Sequence, residues 1–385
     1  MDFRDVDALF PERKHIPLGP EQSRYSLERA FIDPLPAQYE GLKEVLRDFD
    51  ADVILGDNFL FGVLPMLLGP RSERPPIILC GTMYLHCRRD DGAPHRLGLP
   101  PATNDAQREE YAAHFQKMET ALSAPVHRYL NARLARFGVQ SPSTDLLDAL
   151  VTLPDAYLQL TVPSFEYPRL KLPSSVHFVG TLPIIPKQAP LPSWAHELDG
   201  SRKIVLVTQG TVSNFDFGKL VVPTLAALAN QPGVLVIVTT GGRSIDAIPG
   251  PIPGNARAAS YLPFEWVLPK ADVLVTNGGY GSVNQALSFG VPLVTAGLSE
   301  DKAEVTARVG WSGVGIDLAT NEPTPEALRD AVRTVLDKPE YRSRASTMAK
   351  EFASIDTRGE ILRIIKQVSH APADQGAPVC AKRQA

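Results

Sequence analysis

The chain has 385 residues, enough for two domains, and its 44% hydrophobic and 21% charged residues are those of a globular protein. A formal net charge of −4 argues against a nucleic-acid binder, and the longest apolar stretch, "FLFGVLPMLLG" over 59–69, is too short for a bilayer and is broken by Pro65. Cys80, Cys87 and Cys380 give neither a disulfide framework nor a zinc spacing, and the acidic opening "MDFRDVDALFPERKH" is no secretory signal, so a reduced cytoplasmic protein is expected.

In the first half, "ADVILGDN" (51–58) and "PPIILCG" (75–81) read as parallel strands with an apolar helix near 59–69 between them. A helical stretch covers about 105–137, and "AYLQLT" and "VHFVG" follow as late strands. Asp57 ends the first strand. By itself it reads as a helix cap before "FLFG". The acids of "DFDAD" (48–52) precede that strand, at the wrong end for a metal ligand, and read as a solvated turn. The proline-rich "TLPIIPKQAPLPSWAHE" (181–197) reads as an interdomain linker, with the boundary near 186.

The second half alternates cleanly: strand 203–210, helix 217–230, strand 234–242, strand 256–262, a short "FEWVLPKA" segment and strand 272–276. A helix beginning near Ser282, the strand "VPLVTAG", a helix from about Asp301 and the strand "VGIDL" follow. "TPEALRDAVRTVLD" and one longer helix across 340–368 close the half, and the tail after 369 is expected to be disordered. Continuous apolar strands alternating with helices imply a parallel sheet covered on both faces.

One stretch stands out, "VTNGGYGSVNQALSFGVP" (275–292). Its strand ends at Thr276; Gly278, Gly279 and Gly281 permit positive φ and close backbone approach; Ser282 suits a helix cap or first turn. Gly290 and Pro292 end the helix. A strand, a glycine turn and a bare helix N-terminus at the carboxyl edge of a sheet make an anion site suited to phosphate, or else a turn that only allows tight packing. The spacing is neither G-x-G-x-x-G nor the P-loop pattern, and no lysine follows, which disfavours a dinucleotide or ATP-hydrolysis site.

"TNGGYGSVNQALSFGVPLVTAGLSEDK", preceded by "YLPFEWVLPKADVLV", resembles the nucleotide-sugar signature of inverting glycosyltransferases with the GT-B fold. That family holds the UDP-glucosyl and glucuronosyltransferases and the macrolide glycosyltransferases of secondary metabolism. "FEYPRLKLPSSVHFVG" (165–180) resembles its last N-domain segment. The resemblance implies two Rossmann-like domains facing a cleft: 1–185 for the acceptor, with the linker from about 181, and 186–369 for the nucleotide sugar, leaving 370–385 as tail.

It also implies roles. Gly279, Gly281 and Ser282 would donate to the diphosphate, and Gly210 and Thr211 would line the same cleft unless they form an ordinary turn. Asn277 stands where the family has a phosphate-binding His, and Gln285 where a Glu holds the ribose, so two charge-assisted bonds become neutral ones. Tyr261 would stack on the base, with core packing as the alternative, and Phe264 replaces a Gln nearby. Asp301 matches the acid that contacts sugar hydroxyls and Lys302 replaces a Gln beside it; the alternative is a solvated helix start. Asp57 would be the acid that orients the base His of the family. The family's opening βα units, which carry that His, have no counterpart here, so an incomplete N-terminal domain is expected; His86, after a strand, reads as a loop histidine without catalytic role, with a place facing the cleft as the alternative.

The implied reaction is metal-independent, inverting transfer of a hexosyl group from a UDP- or TDP-sugar to a hydroxyl of a hydrophobic small molecule. The nucleotide sugar is a co-substrate, and no cofactor, metal, nucleic acid or transmembrane segment is expected. The alternative is a non-catalytic sugar-nucleotide-binding or auxiliary protein, which Asn277 and Gln285 favour.

Overall fold

Runs of Val, Ile and Leu bounded by Gly and Pro form short strands buried on both faces, and these pair in parallel. A computed structural model describes residues 9–140, 142, 145–182, 191–212 and 214–370. The first sheet has the order β1-β2-β3-β4, from Ile54–Asp57, Ile77–Gly81, Ala156–Gln159 and Val176–Phe178. The second has the order β10-β9-β8-β5-β6-β7. Its strands are β5 (Lys203–Thr208), β6 (Val234–Thr239), β7 (Ala256–Ala259), β8 (Val273–Thr276), β9 (Leu293–Thr295) and β10 (Gly315–Asp317). All pairs are parallel. The chain winds one way from β5 and the other way from β8, so the loops after these two neighbours diverge and leave a crevice at the carboxyl edge.

The helices follow local chemistry. The first half contributes α1 (Leu35–Asp48), α2 (Asp105–Met118), α3 (Ala124–Leu134) and α4 (Leu146–Thr152). The second half contributes α5 (Val221–Leu228), α6 (Tyr280–Ser288), α7 (Lys302–Ser312), α8 (Pro325–Asp337), α9 (Pro339–Ala353) and α10 (Thr357–Ser369). Thr324 caps α8 by accepting from Ala327 N, with Pro325 in the first turn.

Three expectations change. The helix expected near 59–69 shrinks to a 3₁₀ turn and Leu64–Leu68, since Pro65 is tolerated only in a first turn and Gly69 follows. The single helix expected over 340–368 is two, because Asp356 accepts from Gly359 N and starts α10 afresh. And α10 leaves the second sheet: its Ile364 and Val368 pack with Ile78, Ala156, Leu158 and Val179 of the first half. Residues 357–369 therefore cover the first sheet, although they were counted with the second domain. The boundary near 186 and, apart from His370, the tail 370–385 lie outside the described residues. Among the described residues no helix is long and apolar enough to cross a membrane.

The halves meet through one continuous core, in which Met83, Tyr84, Val162 and Phe165 pack with Leu274, Tyr280, Val283, Val305 and Val309. Two buried hydrogen bonds cross it, from Gln159 to the Tyr280 hydroxyl and from Thr161 to Asn284. At its centre Arg308 is fully buried, with Nε 2.8 Å from Glu166 and Nη1 2.9 Å from Glu304. Its guanidinium carbon lies 4.7 Å from the ring centroid of Tyr84 and 4.1 Å from that of Tyr167. The remaining carboxylate oxygens accept from Leu85 N and Gly98 N. Burial works against the Arg308 charge, but Glu166 and Glu304 outweigh it and hold the guanidinium protonated.

Arg308→Met should lower stability by about 3–5 kcal/mol, because two carboxylates stay buried without their cation. The combined change of Glu166, Glu304 and Arg308 to Leu, Leu and Met should recover most of that loss, as read from urea denaturation midpoints.

Candidate functional site

Two loops leave the second sheet where its winding reverses. After β5 come Gln209 and Gly210, the latter at φ +75°; after β8 come Asn277 and Gly278, the latter at φ +87°. The Asn277 amide donates to Gln209 O at 2.9 Å and ties the loops together.

The three glycines after β8 have different reasons to be there. At Gly278 a Cβ would lie 2.4 Å from the Thr306 methyl, so the turn itself packs against α7. Gly279 is the N-cap of α6, with φ −60° and ψ 129°, so the helix begins at Tyr280, not near Ser282. At Gly281 a Cβ would meet nothing within 4 Å, so the helix presents open backbone there. The first α-helical bond is Val283 N to Gly279 O at 3.0 Å, and no side chain caps the helix. The amides of Tyr280, Gly281 and Ser282 precede that bond and form the positive end of the helix dipole.

That turn opens into a cavity of about 620 Å³ between the halves. Its lining brings together Gly210, Thr211, Asn277, Gly279, Gly281, Ser282, Asp301 and Lys302. Phe31, Phe59, Thr82 and Tyr84 form the opposite wall. Lys302 is only 6% exposed and pairs with Glu300, so this is not a solvated helix start. Burial pushes the Asp301 carboxyl up to about 6, against the pull of Lys302 and with Glu300 adding to the rise.

Three expected site residues stand apart. Tyr261, 45% exposed beyond the end of β7, and Gln285, half-buried on α6, are outside the cavity lining. Asp57 is exposed at the end of β1 and also outside it. Its carboxylate accepts from Phe59 N at 2.7 Å, and no histidine among the described residues bonds to it. This bond closes the turn that carries Phe59, which stacks on Phe31 at 4.7 Å, while the 3₁₀ turn that follows starts after Leu60 without a side-chain cap.

A second cavity of about 300 Å³ adjoins the first and shares Leu27, Arg96, Met118 and Leu147 with it. Its walls carry Phe115, Leu122, Val126 and Leu146, and its polar lining includes His86 and Asp145. His86 is buried, with Nε2 3.2 Å from Asp145 and Nδ1 3.0 Å from the Tyr84 hydroxyl. A carboxylate only accepts, so Nε2 carries a proton in this contact. Burial raises the Asp145 carboxyl, but the bond from His86 outweighs it and holds it well below the usual range. The His95 ring lies 3.9 Å from that of His86, and burial and the His86 charge keep it neutral. Tyr84, Arg96 and Asp145 escape a reading of the sequence because each reaches the cleft from an irregular loop or the start of a short helix. Among the described residues no cluster of three His, Cys, Asp or Glu side chains is built to hold a metal ion.

Comparison with known proteins agrees with this architecture. Residues 224–368 match the family described as erythromycin biosynthesis protein CIII-like, C-terminal domain. UDP-glycosyltransferase 2 of Phaeomoniella chlamydospora is 37% identical over 384 residues, covering 96% of this chain and 83% of that protein. The 4'-demethylrebeccamycin synthase of Lentzea aerocolonigenes is 38% identical over 339 residues, covering 87% and 78%. Among solved structures, the calicheamicin glycosyltransferase CalG4 has the same GT-B fold, with a TM-score of 0.68 at 21% identity over 96% of this chain and 85% of that one.

The glycines can be told apart by stability. Gly278→Ala should cost about 2 kcal/mol from the left-handed backbone and the Thr306 contact, whereas Gly281→Ala, in open space on a helix, should be neutral or gain up to about 1 kcal/mol. Thermal denaturation of the two variants checks this.

Proposed function

The chain belongs to the family of nucleotide-sugar-dependent glycosyltransferases with the GT-B fold, and we propose that it transfers a sugar from a UDP- or TDP-sugar to a hydroxyl of a hydrophobic small molecule, with inversion and without metal. The observation that carries this reading is the uncapped first turn of α6, with Gly281 open to the 620 Å³ cavity. A diphosphate seated there meets backbone amides, the Ser282 hydroxyl and the helix dipole. These groups also stabilise the charge that grows on the diphosphate as it leaves.

The remaining residues take positions in the same scheme. Gly210 and Thr211 lie beside the phosphates, and Asp301 with Lys302 faces the hydroxyls of the sugar. A nucleoside running outward along the sheet edge meets Gln285 and then Tyr261. The acceptor's apolar body occupies the adjoining cavity, among Leu122, Val126 and Leu146. Its hydroxyl then approaches the anomeric carbon from the side opposite the diphosphate, which gives inversion in a single displacement. The relative's printed name, UDP-glycosyltransferase, supports UDP among the donors.

The second reading, sugar-nucleotide binding without transfer, has one specific observation in its favour: one of the two Asn277 amide N–H groups is taken by Gln209 O, and the side chain carries no charge. One assay separates the two. The protein is incubated in EDTA with UDP-glucose or TDP-glucose and a panel of hydrophobic alcohols, and the anomeric configuration of any product is read by NMR. Transfer with inversion supports the first reading; nucleotide binding with no product on any alcohol supports the second.

Two further outcomes are expected. Gly281→Val should weaken UDP binding by about 100-fold, or 2.7 kcal/mol, by filling the space above the first turn, with the melting temperature of the free protein little changed. Binding of a UDP-sugar should tighten as pH rises from about 5 to 7, because the ionised Asp301 accepts from sugar hydroxyls and its carboxyl sits near 6 in the free protein. UDP alone should not show that rise, and Asp301→Asn should remove it, as read by calorimetry across the pH range.

A further inference from the structure

Arg96 belongs to an irregular loop of the first half and lines both cavities. It is one of four non-glycine residues at positive φ among the described residues, at +78°. Holding arginine in that region costs on the order of 1 kcal/mol, and the surrounding structure must enforce it. Here it does. The preceding His95 ring bonds to Cys87 O at 3.1 Å, and Gly98 N donates to Glu304 of α7 at 3.2 Å. Gly98 is itself so close to Ala303 O that a Cβ there would lie 2.7 Å away. The loop is thus pinned to the helix that starts at Asp301 and Lys302, on the far side of the cleft.

The cations around the larger cavity differ in how they are engaged. Lys302 pairs with Glu300, and Arg13 bonds the Ser26 hydroxyl at 3.1 Å. Arg96 has no hydrogen bond or ion pair among the described residues. Its charge reaches Asp145 on one side and Asp301 on the other without pairing with either. Across the cavity the α6 turn offers only neutral donors, since Asn277 carries no charge and a helix end carries only about half a unit. A diphosphate needs more, and a guanidinium matches its oxygens in a planar, two-pronged fashion.

We propose that Arg96 grips the diphosphate of the nucleotide sugar from the first half, supplying the full positive charge that the glycine turn of the second half lacks. The assignment rests on the donor site described above. In the transfer, the bond from the anomeric carbon to the β-phosphate oxygen breaks and its electron pair stays on that oxygen. The acceptor oxygen forms the new bond to carbon, and its hydroxyl proton leaves to the solution. Arg96 faces the oxygen that gains charge, so its loss acts on kcat as well as on nucleotide affinity.

The test is calorimetric titration of the full chain with UDP, TDP and uridine, using wild type, Arg96→Lys and Arg96→Asn. Asparagine tolerates left-handed backbone, so the neutral variant keeps the loop. Arg96→Asn should weaken UDP and TDP at least about tenfold, leave uridine unchanged and flatten the salt dependence, and Arg96→Lys should recover part of the loss. Unchanged UDP affinity in Arg96→Asn, while Gly281→Val still weakens it about 100-fold, would overturn the role of Arg96 and leave the donor site standing. Equal weakening of uridine and UDP would overturn it too, marking a merely structural residue. Wild type that binds neither UDP nor TDP would bring down the donor site itself.

Discussion

A buried guanidinium, held by two carboxylates and set against the rings of two tyrosines, joins the halves of this protein. Arg308 and Glu304 lie on α7, Glu166 lies in the first half, and all three are shut away from solvent. An ion network of this kind contributes little net stability compared with apolar side chains of the same size, but removing any one member is strongly unfavourable. Its effect here is geometric. Glu304 sits one turn beyond Asp301, and it also fixes Gly98 and with it the loop of Arg96. Glu166 holds Leu85 N, between Tyr84 and His86. One buried cluster therefore sets the position of both walls of the cleft.

The apolar contacts reinforce it. Relative motion is the usual expectation for two domains on a polar interface, but here Met83, Tyr84, Val162 and Phe165 continue the core of the second half without a break. Gln159 and Thr161, at the end of β3, bond Tyr280 and Asn284 on α6. The helix that offers its open N-terminus to the cavity is thus anchored from behind by the opposite half. Its donors are positioned before any ligand arrives, which is the condition under which fixed dipoles are most effective.

The parallel sheets were legible in the sequence because the second half alternates apolar strands and helices with little ambiguity. The glycine turn was legible for the same reason: few arrangements of a strand, three glycines and a helix exist. Legibility failed where the reason lies elsewhere in the chain. Nothing near residue 355 marks the break that starts α10, beyond an Asp that resembles many others. Gly278 and Gly281 look alike in sequence, and only Thr306 distinguishes the one that packs from the one that stays open. Asp57 lies at the end of β1 as expected, but that its carboxylate closes the turn to Phe59 is visible only in the structure.

By itself the sequence determined the sheet-forming segments, the bare helix start after β8 and the family, because periodicity, glycine spacing and a long motif are local properties. Only the tertiary structure decided that α10 returns to the first sheet, that Lys302 is buried, and that Arg96 lines both cavities. Those facts depend on contacts between residues tens to hundreds of positions apart, and on a left-handed arginine for which no residue pattern exists. Local composition fixes which groups the chain owns; which of them share a cavity is fixed by packing.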